Sequence, residues 1–295
     1  MPDGLSFPRC YTARDVHAEA PTPVYSHSRI SSFANCPLQY RYRYIDKLKS
    51  PVEGVEAFVG KIVHEVLEAL YADLGRARAS SAEDYTALFR NLWRQRATSS
   101  LRIVRENMTP EAYRDLGVRC IENFFRQNHP FEGAEVLGCE TQVEFNLDPE
   151  GRYRMQGYID RIDRVAPGVI EIHDYKTGSL PRERSLRFDR QLTLYEIAVR
   201  DRWAGVKEVR HVWHYLAHAR KFVQRRAPED LIRTKLATIR AIQDIEATVV
   251  FPPRPGPLCS WCEYNGVCPE FRPKTARPLP ELEPGSLQYR LFPLS

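Results

Sequence analysis

No stretch of the 295-residue chain approaches the ~20 consecutive apolar residues that cross a bilayer. Asp3, Arg9 and Asp15 punctuate the first residues and no apolar run follows them, so they do not read as a secretory signal. Together these absences predict a cytoplasmic protein. The G-x-x-x-x-G-K-[ST] phosphate loop is missing too, which excludes a P-loop helicase motor in this sequence. There is no internal repeat. Nor is there an even set of cysteines. The chain has seven, and clustered cysteines in a cytosolic protein suggest metal ligation before disulfides.

What is present suits a globular protein. Hydrophobic residues make up 43% and charged residues 27%, enough for a sizeable core in one large domain or two modest ones. A net charge of +5 is compatible with an acidic partner such as nucleic acid, and equally with ordinary surface charge.

Residues 1–25 read as an irregular leader and 26–130 as mostly helical. Ser28 is a candidate cap for a helix over 29–35. Val59, Ile62, Val63, Val66, Leu67 and Leu70 recur at helical spacing, and further amphipathic stretches fall near 83–98 and 110–127. From about 135 the period changes. Strands are predicted over 135–147, 153–165, 169–175 and 207–217, with 221–226 a possible partner for the last. Helices are predicted over 186–202 and 228–248. The proline-rich stretch 251–257 is a rigid connector, and 273–295 is a second proline-rich tail. The pattern gives an α/β catalytic core over about 135–250, preceded by a helical insertion.

Within that core, alternation puts Ile170, Ile172, Asp174 and Lys176 on one face of a strand. An apolar face thus runs directly into an acid and a base, which are costly to bury alone. Asp160, on the neighbouring strand, can approach Asp174. Two adjacent carboxylates repel unless a cation lies between them, and hard oxygen ligands suit Mg²⁺ or Mn²⁺. Lys176 can then hold an attacking water or a phosphoryl oxygen. A salt-bridge group among Asp160, Arg161, Asp163 and Lys176 would account for the same charges.

Flanking motifs add to this pattern: Gly60 to His64 on the long helix, Glu140 on a strand, Gly157 to Asp163, Asp174 to Gly178, and Gln191 with Tyr195 one helical turn apart. In this order, over about residues 26–270, they resemble the RecB-like branch of the PD-(D/E)XK nuclease superfamily. The resemblance implies a restriction-endonuclease-like core, a mixed central sheet flanked by helices. It implies that His64, Asp160, Asp174 and the backbone carbonyl of Tyr175 ligate Mg²⁺ or Mn²⁺, with Lys176 catalytic and Gln191 and Tyr195 supporting the site and nearby DNA. Ile159 stands where the superfamily motif has proline. Glu140 is the possible supporting acid, with Glu144 as its alternative.

Cys259, Cys262 and Cys268 form a C-x2-C-x5-C cluster, and Cys36 lies far upstream. Such thiols can ligate one soft metal centre. On spacing alone, an iron–sulfur cluster, zinc or unrelated thiols all remain open. The resemblance extends here to the four-cysteine clasp of AddB-type and CRISPR-adaptation nucleases, implying a C-terminal [4Fe–4S] clasp with zinc the lesser choice. Such a clasp would staple 259–268 to Cys36 and close a very long loop. Cys10, Cys120 and Cys139 read as ordinary cysteines.

Residues 28–49 mix aromatic and basic side chains, and Arg29, Tyr40, Arg41 and Arg43 are candidate DNA contacts. A helix with buried tyrosines and solvated arginines would give the same pattern. The expectation is one nuclease domain over 26–272 that cuts DNA, single-stranded and from an end, in repair, recombination or defence. With no motor of its own, such an enzyme could work beside a helicase or other protein partner. A CRISPR-adaptation type of trimming endonuclease and a noncatalytic nucleic-acid-binding subunit are the alternatives.

Overall fold

The computed structural model describes residues 23–50, 52–78, 81–98 and 101–271. The expected leader up to residue 22, with Cys10, and the proline-rich tail lie outside the described residues. Among the described residues, no helix is long and apolar enough to cross a membrane.

The chain opens with β1 (Val24–Tyr25), α1 (His27–Asn35) and α2 (Pro37–Tyr40), followed by a π-helical turn over Arg41–Ile45. Then come β2 (Glu53–Gly54), α3 (Val55–Gly75), α4 (Ala82–Arg96), β3 (Leu101–Arg102) and α5 (Pro110–Asn128). Two starts differ from expectation. Val24 and Tyr25, placed in the leader by composition, pair in parallel with Arg154 and Met155. Ser26, not Ser28, caps α1, its Oγ accepting from the Arg29 N–H at 3.1 Å. Residue 26 is the one with extended backbone, and so can turn its hydroxyl onto the first free N–H groups. α4 starts with a Ser81–Asp84 capping box, and α5 with Thr109 and Pro110.

The second half contains β4 (Glu135–Asn146), β5 (Arg154–Ala166), β6 (Val169–Lys176), a short α6 (Glu183–Leu186), α7 (Arg190–Arg202), β7 (Glu208–Tyr215), β8 (Arg220–Gln224) and α8 (Pro228–Ala247). β4, β5 and β6 are antiparallel neighbours, β6 and β7 are parallel, and β8 returns antiparallel. The fold is therefore α/β with a mixed central sheet. The parallel pair requires a crossover, and α7 supplies it.

β6 divides the core. Ile170 and Ile172 enter the cluster formed with α7 and α8 through Leu192, Leu194, Val199, Ile242 and Ile245. Tyr175 enters the other cluster, built on the apolar stripe of α3 with α4 and α5. The sheet is thus covered by helices on both sides, and Asp160, Arg161, Asp163 and Asp174 are buried within it.

One edge of β5 is shared. β6 pairs with Arg161 to Ala166, and β1 takes over at Arg154 and Met155. Between those stretches β5 and β6 separate, leaving backbone groups that need other partners. Asp160 stands at this fork.

Candidate active site

Where the β5–β6 ladder stops, the Asp160 carboxylate replaces a strand. Its Oδ2 accepts from the Tyr175 N–H at 2.6 Å. The carbonyl of the same Tyr175 accepts from His64 Nε2 at 3.0 Å. The backbone of one residue thus fixes a side chain from α3 and one from β5. His64 Nδ1 faces Glu140 Oε1 at 3.3 Å and Asp160 Oδ1 at 3.7 Å. Glu140 reaches it from β4 with a left-handed backbone, φ 43°, a strained conformation for a residue with a side chain. Glu144 is exposed and pairs with Arg154 instead. Ligand atoms of His64, Glu140 and Asp160 all lie within 4.8 Å of one another.

Asp174 and Lys176 follow on β6. Lys176 Nζ donates to Asp174 Oδ1 at 2.9 Å and lies 2.8 Å from Oδ2. It also donates to Gln191 Oε1 at 3.3 Å, and Gln191 Nε2 donates to the Tyr195 hydroxyl at 3.4 Å. These two residues face the same way because they are one turn apart on α7, which starts where Asp189 accepts from the Leu192 N–H. The Tyr195 ring packs on Gly157, where a Cβ would lie 2.4 Å from its Cε1. Glycine at 157 is what lets α7 approach the sheet.

Burial sets the charges. It pushes the Asp160 carboxyl up to about 7, reinforced by Asp174 and opposed by His64 and the Tyr175 N–H. It raises Asp174 as well, against the pull of Lys176. For His64 burial works downward, yet the Glu140 hydrogen bond and the Asp160 and Glu140 charges lift it to about 9. Lys176 is likewise held charged against burial by Asp174. In this form the site is a cage of acids neutralised by its own proton and its own lysine. An imidazole nitrogen and two carboxylates whose ligand atoms lie within 4.8 Å of one another are also a donor set that fits a small divalent cation.

Behind the fork lies a buried network that holds two of the charges expected in a salt-bridge group, Arg161 and Asp163. Arg161 Nε faces Asp163 Oδ1 at 3.1 Å, Nη1 donates to the Tyr175 hydroxyl at 2.9 Å, and Nη2 donates to His173 Nδ1 at 3.0 Å. The guanidinium also hydrogen-bonds the Tyr71 hydroxyl and lies 4.4 Å from the centre of that ring. His173 Nε2 faces Asp163 Oδ2 at 3.1 Å, and its Nδ1 meets His214 Nε2 at 3.0 Å. Arg161 and Asp163 therefore form an interior group separate from the Asp174–Lys176 pair. Tyr71 sits two helical turns after His64, a spacing that could have revealed it. His214 gives no such signal.

At the other end, Cys36, Cys259, Cys262 and Cys268 all line one cavity of about 380 Å³. All four are free. The Cys36 and Cys259 sulfurs accept from the Arg254 and Gly256 N–H groups at 3.4 and 3.2 Å. Apolar side chains of Leu38, Tyr42 and Tyr264 back them. No three of the thiols lie mutually within 4.8 Å among the described residues. Of the remaining cysteines, Cys120 is buried and burial raises its thiol to about 12, as suits an inert core residue. Cys139, raised to about 11, is similar.

The expected DNA contacts of the N-terminal helices fare differently. Tyr40 is 2% exposed and stacks on Phe251, so neither face is open to a base. Its assignment as a DNA contact is corrected to a core residue: the alternating tyrosines pack inward, where ring burial gains most. Arg29 lies among Tyr25, Tyr40 and Tyr44, at 4.6 Å from the first ring. Arg41 pairs with Asp46, and Arg43 with Glu263 beside the cysteines.

A family model for the PD-(D/E)XK nuclease superfamily matches residues 24–269. The chain is 25% identical over 276 residues to the Gene 69 protein of Mycobacterium phage D29, covering 85% of this chain and 98% of that protein. Among solved structures it is similar to a candidate exonuclease from Eubacterium rectale, at 14% identity and a TM-score of 0.46, over 89% of this chain and 94% of the other.

Proposed function

Because the chain belongs to the PD-(D/E)XK nuclease superfamily, we propose that it hydrolyses phosphodiester bonds in DNA with Mg²⁺ or Mn²⁺, acting on an unpaired strand from an end. The observation that carries this reading is the convergence of His64, Glu140 and Asp160 from three elements, beside Asp174 and Lys176. His64, Asp160, Asp174 and the Tyr175 carbonyl would hold the ion. When bound, it neutralises phosphate charge and acidifies a water. Lys176, already charged, orients the water or steadies a phosphoryl oxygen. Gln191 and Tyr195 keep the ammonium group aimed into the site. Glu140 holds His64 and adds a carboxylate.

The clasp is a second, separate element. We infer that Cys36, Cys259, Cys262 and Cys268 hold an iron–sulfur cluster, whose role is to tie the chain's first helices to its C-terminal segment. Free thiols around one cavity and N–H groups aimed at two sulfurs support this.

The assay that tests the nuclease is cleavage of end-labelled single and double strands with Mg²⁺, Mn²⁺ or chelator. Shortening of the single strand from one end, abolished by chelator, is expected. No cleavage of any DNA by properly folded, metal-loaded protein would leave the noncatalytic alternative, and internal cuts would favour the endonuclease.

A further inference from the structure

We propose that the segment joining β6 to α7, residues 177–189 with the short α6 within it, is a gripping surface for an unpaired DNA strand, with Phe188 as its base-stacking platform. The proposal rests on the nuclease reading and deepens it by naming where the substrate is held.

The loop begins and ends at the site. Lys176 precedes it, Gln191 follows it, and their side chains touch at 3.3 Å. Phe188 stands three residues before Gln191, at most about 10 Å along the backbone. Any strand lying over Asp174 and Lys176 therefore passes at the foot of this loop.

The loop is anchored firmly. Leu186 is buried in the main core, and its carbonyl accepts from Arg226 Nη2 at 2.6 Å. Arg226 is braced in turn by Thr193 Oγ1 at 3.1 Å. Arg190 reaches back to Ser31 on α1 at 3.1 Å. Between these anchors Phe188 is 76% exposed. A phenyl ring left in water forgoes the gain of burial, and on an anchored segment it does so in a fixed place. Tyr158, two residues before Asp160, is also 53% exposed, so open aromatic rings flank the carboxylates on two elements.

Charge complementarity identifies the occupant. Arg182, Arg184 and Arg187 are exposed and have no carboxylate partner among the described residues. Of the loop's two acids, Glu183 is exposed, while Asp189 is used to cap α7. The surface thus offers cations beside aromatic faces. Phosphates meet the former and bases stack on the latter, which requires bases that are not already stacked in a duplex. The corrected place of Tyr40 strengthens the point, since the aromatic residues once expected to stack bases are partly withdrawn into the core.

The test is steady-state cleavage of a labelled single strand by the full chain. F188A and the double variant R184A/R187A are each expected to raise KM at least about fivefold, the lower end for losing one stacked base, with kcat within twofold. F188W should restore the wild-type KM. The arginine variant should also show a shallower dependence of binding on salt, one contact fewer per cation removed. Unchanged KM in both variants, with cleavage intact, overturns the loop proposal and leaves the nuclease standing. A fall in kcat alone overturns it too, because the loop would then shape the site rather than hold the strand. Wild-type protein that neither binds nor cuts DNA overturns both. Should F188A fail to fold, the arginine variant decides.

Discussion

At the residue scale the site is an exercise in charge balance. Asp174→Ala and Lys176→Ala are each expected to lower cleavage by at least ~100-fold, the scale of one lost charge-stabilising group. Near-normal rates in either purified, folded variant would refute their assignment. The protons held there give a second prediction. His64 is lifted to about 9 and Asp160 to about 7, so at neutral pH the ion-free cage retains at least one proton. A cation must displace it. Mn²⁺ binding should therefore weaken as pH falls from 8 to 6 and should release protons. Calorimetry in buffers of different ionisation enthalpy would detect the release, and identical heats in all buffers would contradict it. Asp160, Asp174 and Lys176 were legible because alternation and motif spacing fix which strand position each occupies. Glu140 was harder to separate from Glu144, since its aim depends on a left-handed backbone that no one-dimensional pattern encodes.

At the element scale, the interior network joins α3, β5, β6 and β7 behind the fork. Arg161→Met would leave Asp163 buried without its cationic partner, beside a neutral His173. The expected cost is about 3–5 kcal/mol, read as a shift in urea midpoint; a loss below about 1 kcal/mol would mean the network carries little. The same region makes the fold acid-sensitive. Burial holds His173 and His214 well below the ordinary value of 6.5. Their folded-state values lie under the unfolded one, so the stabilisation is complete above about 6.5 and is lost as pH falls below it. The expected slope is about 1.4 kcal/mol per pH unit for each proton taken up on unfolding. A urea midpoint unchanged between pH 7.5 and 5 would contradict this. Element types and order were readable from periodicity, and β6, over Val169–Lys176, is the clearest case. The strand β1 was not readable. Two residues carry no period, and their pairing with Arg154 and Met155 depends on the gap that β6 leaves.

At the scale of the whole molecule, the cysteine cavity joins segments more than two hundred residues apart in sequence. Closing so long a loop restricts the unfolded chain strongly. Anaerobically purified protein is expected to be brown, with about four irons per chain. Cys36→Ala should lose the colour as fully as Cys262→Ala and should melt at lower temperature. A colourless protein with stoichiometric zinc would refute the iron–sulfur assignment while keeping the tie. Sequence by itself determined the α/β pattern, the apolar stripe of α3, and the acids and lysine at the end of a buried strand. These follow from periods of two and 3.6 residues and from the cost of burying charge. Only the tertiary structure decided that Glu140 rather than Glu144 meets His64, that Tyr40 turns inward, that Arg161 and Asp163 form a group of their own, and that Phe188 stays in water. Each of those depends on which distant surface comes to lie opposite a side chain, and that is fixed by packing of the whole chain rather than by any local run of it.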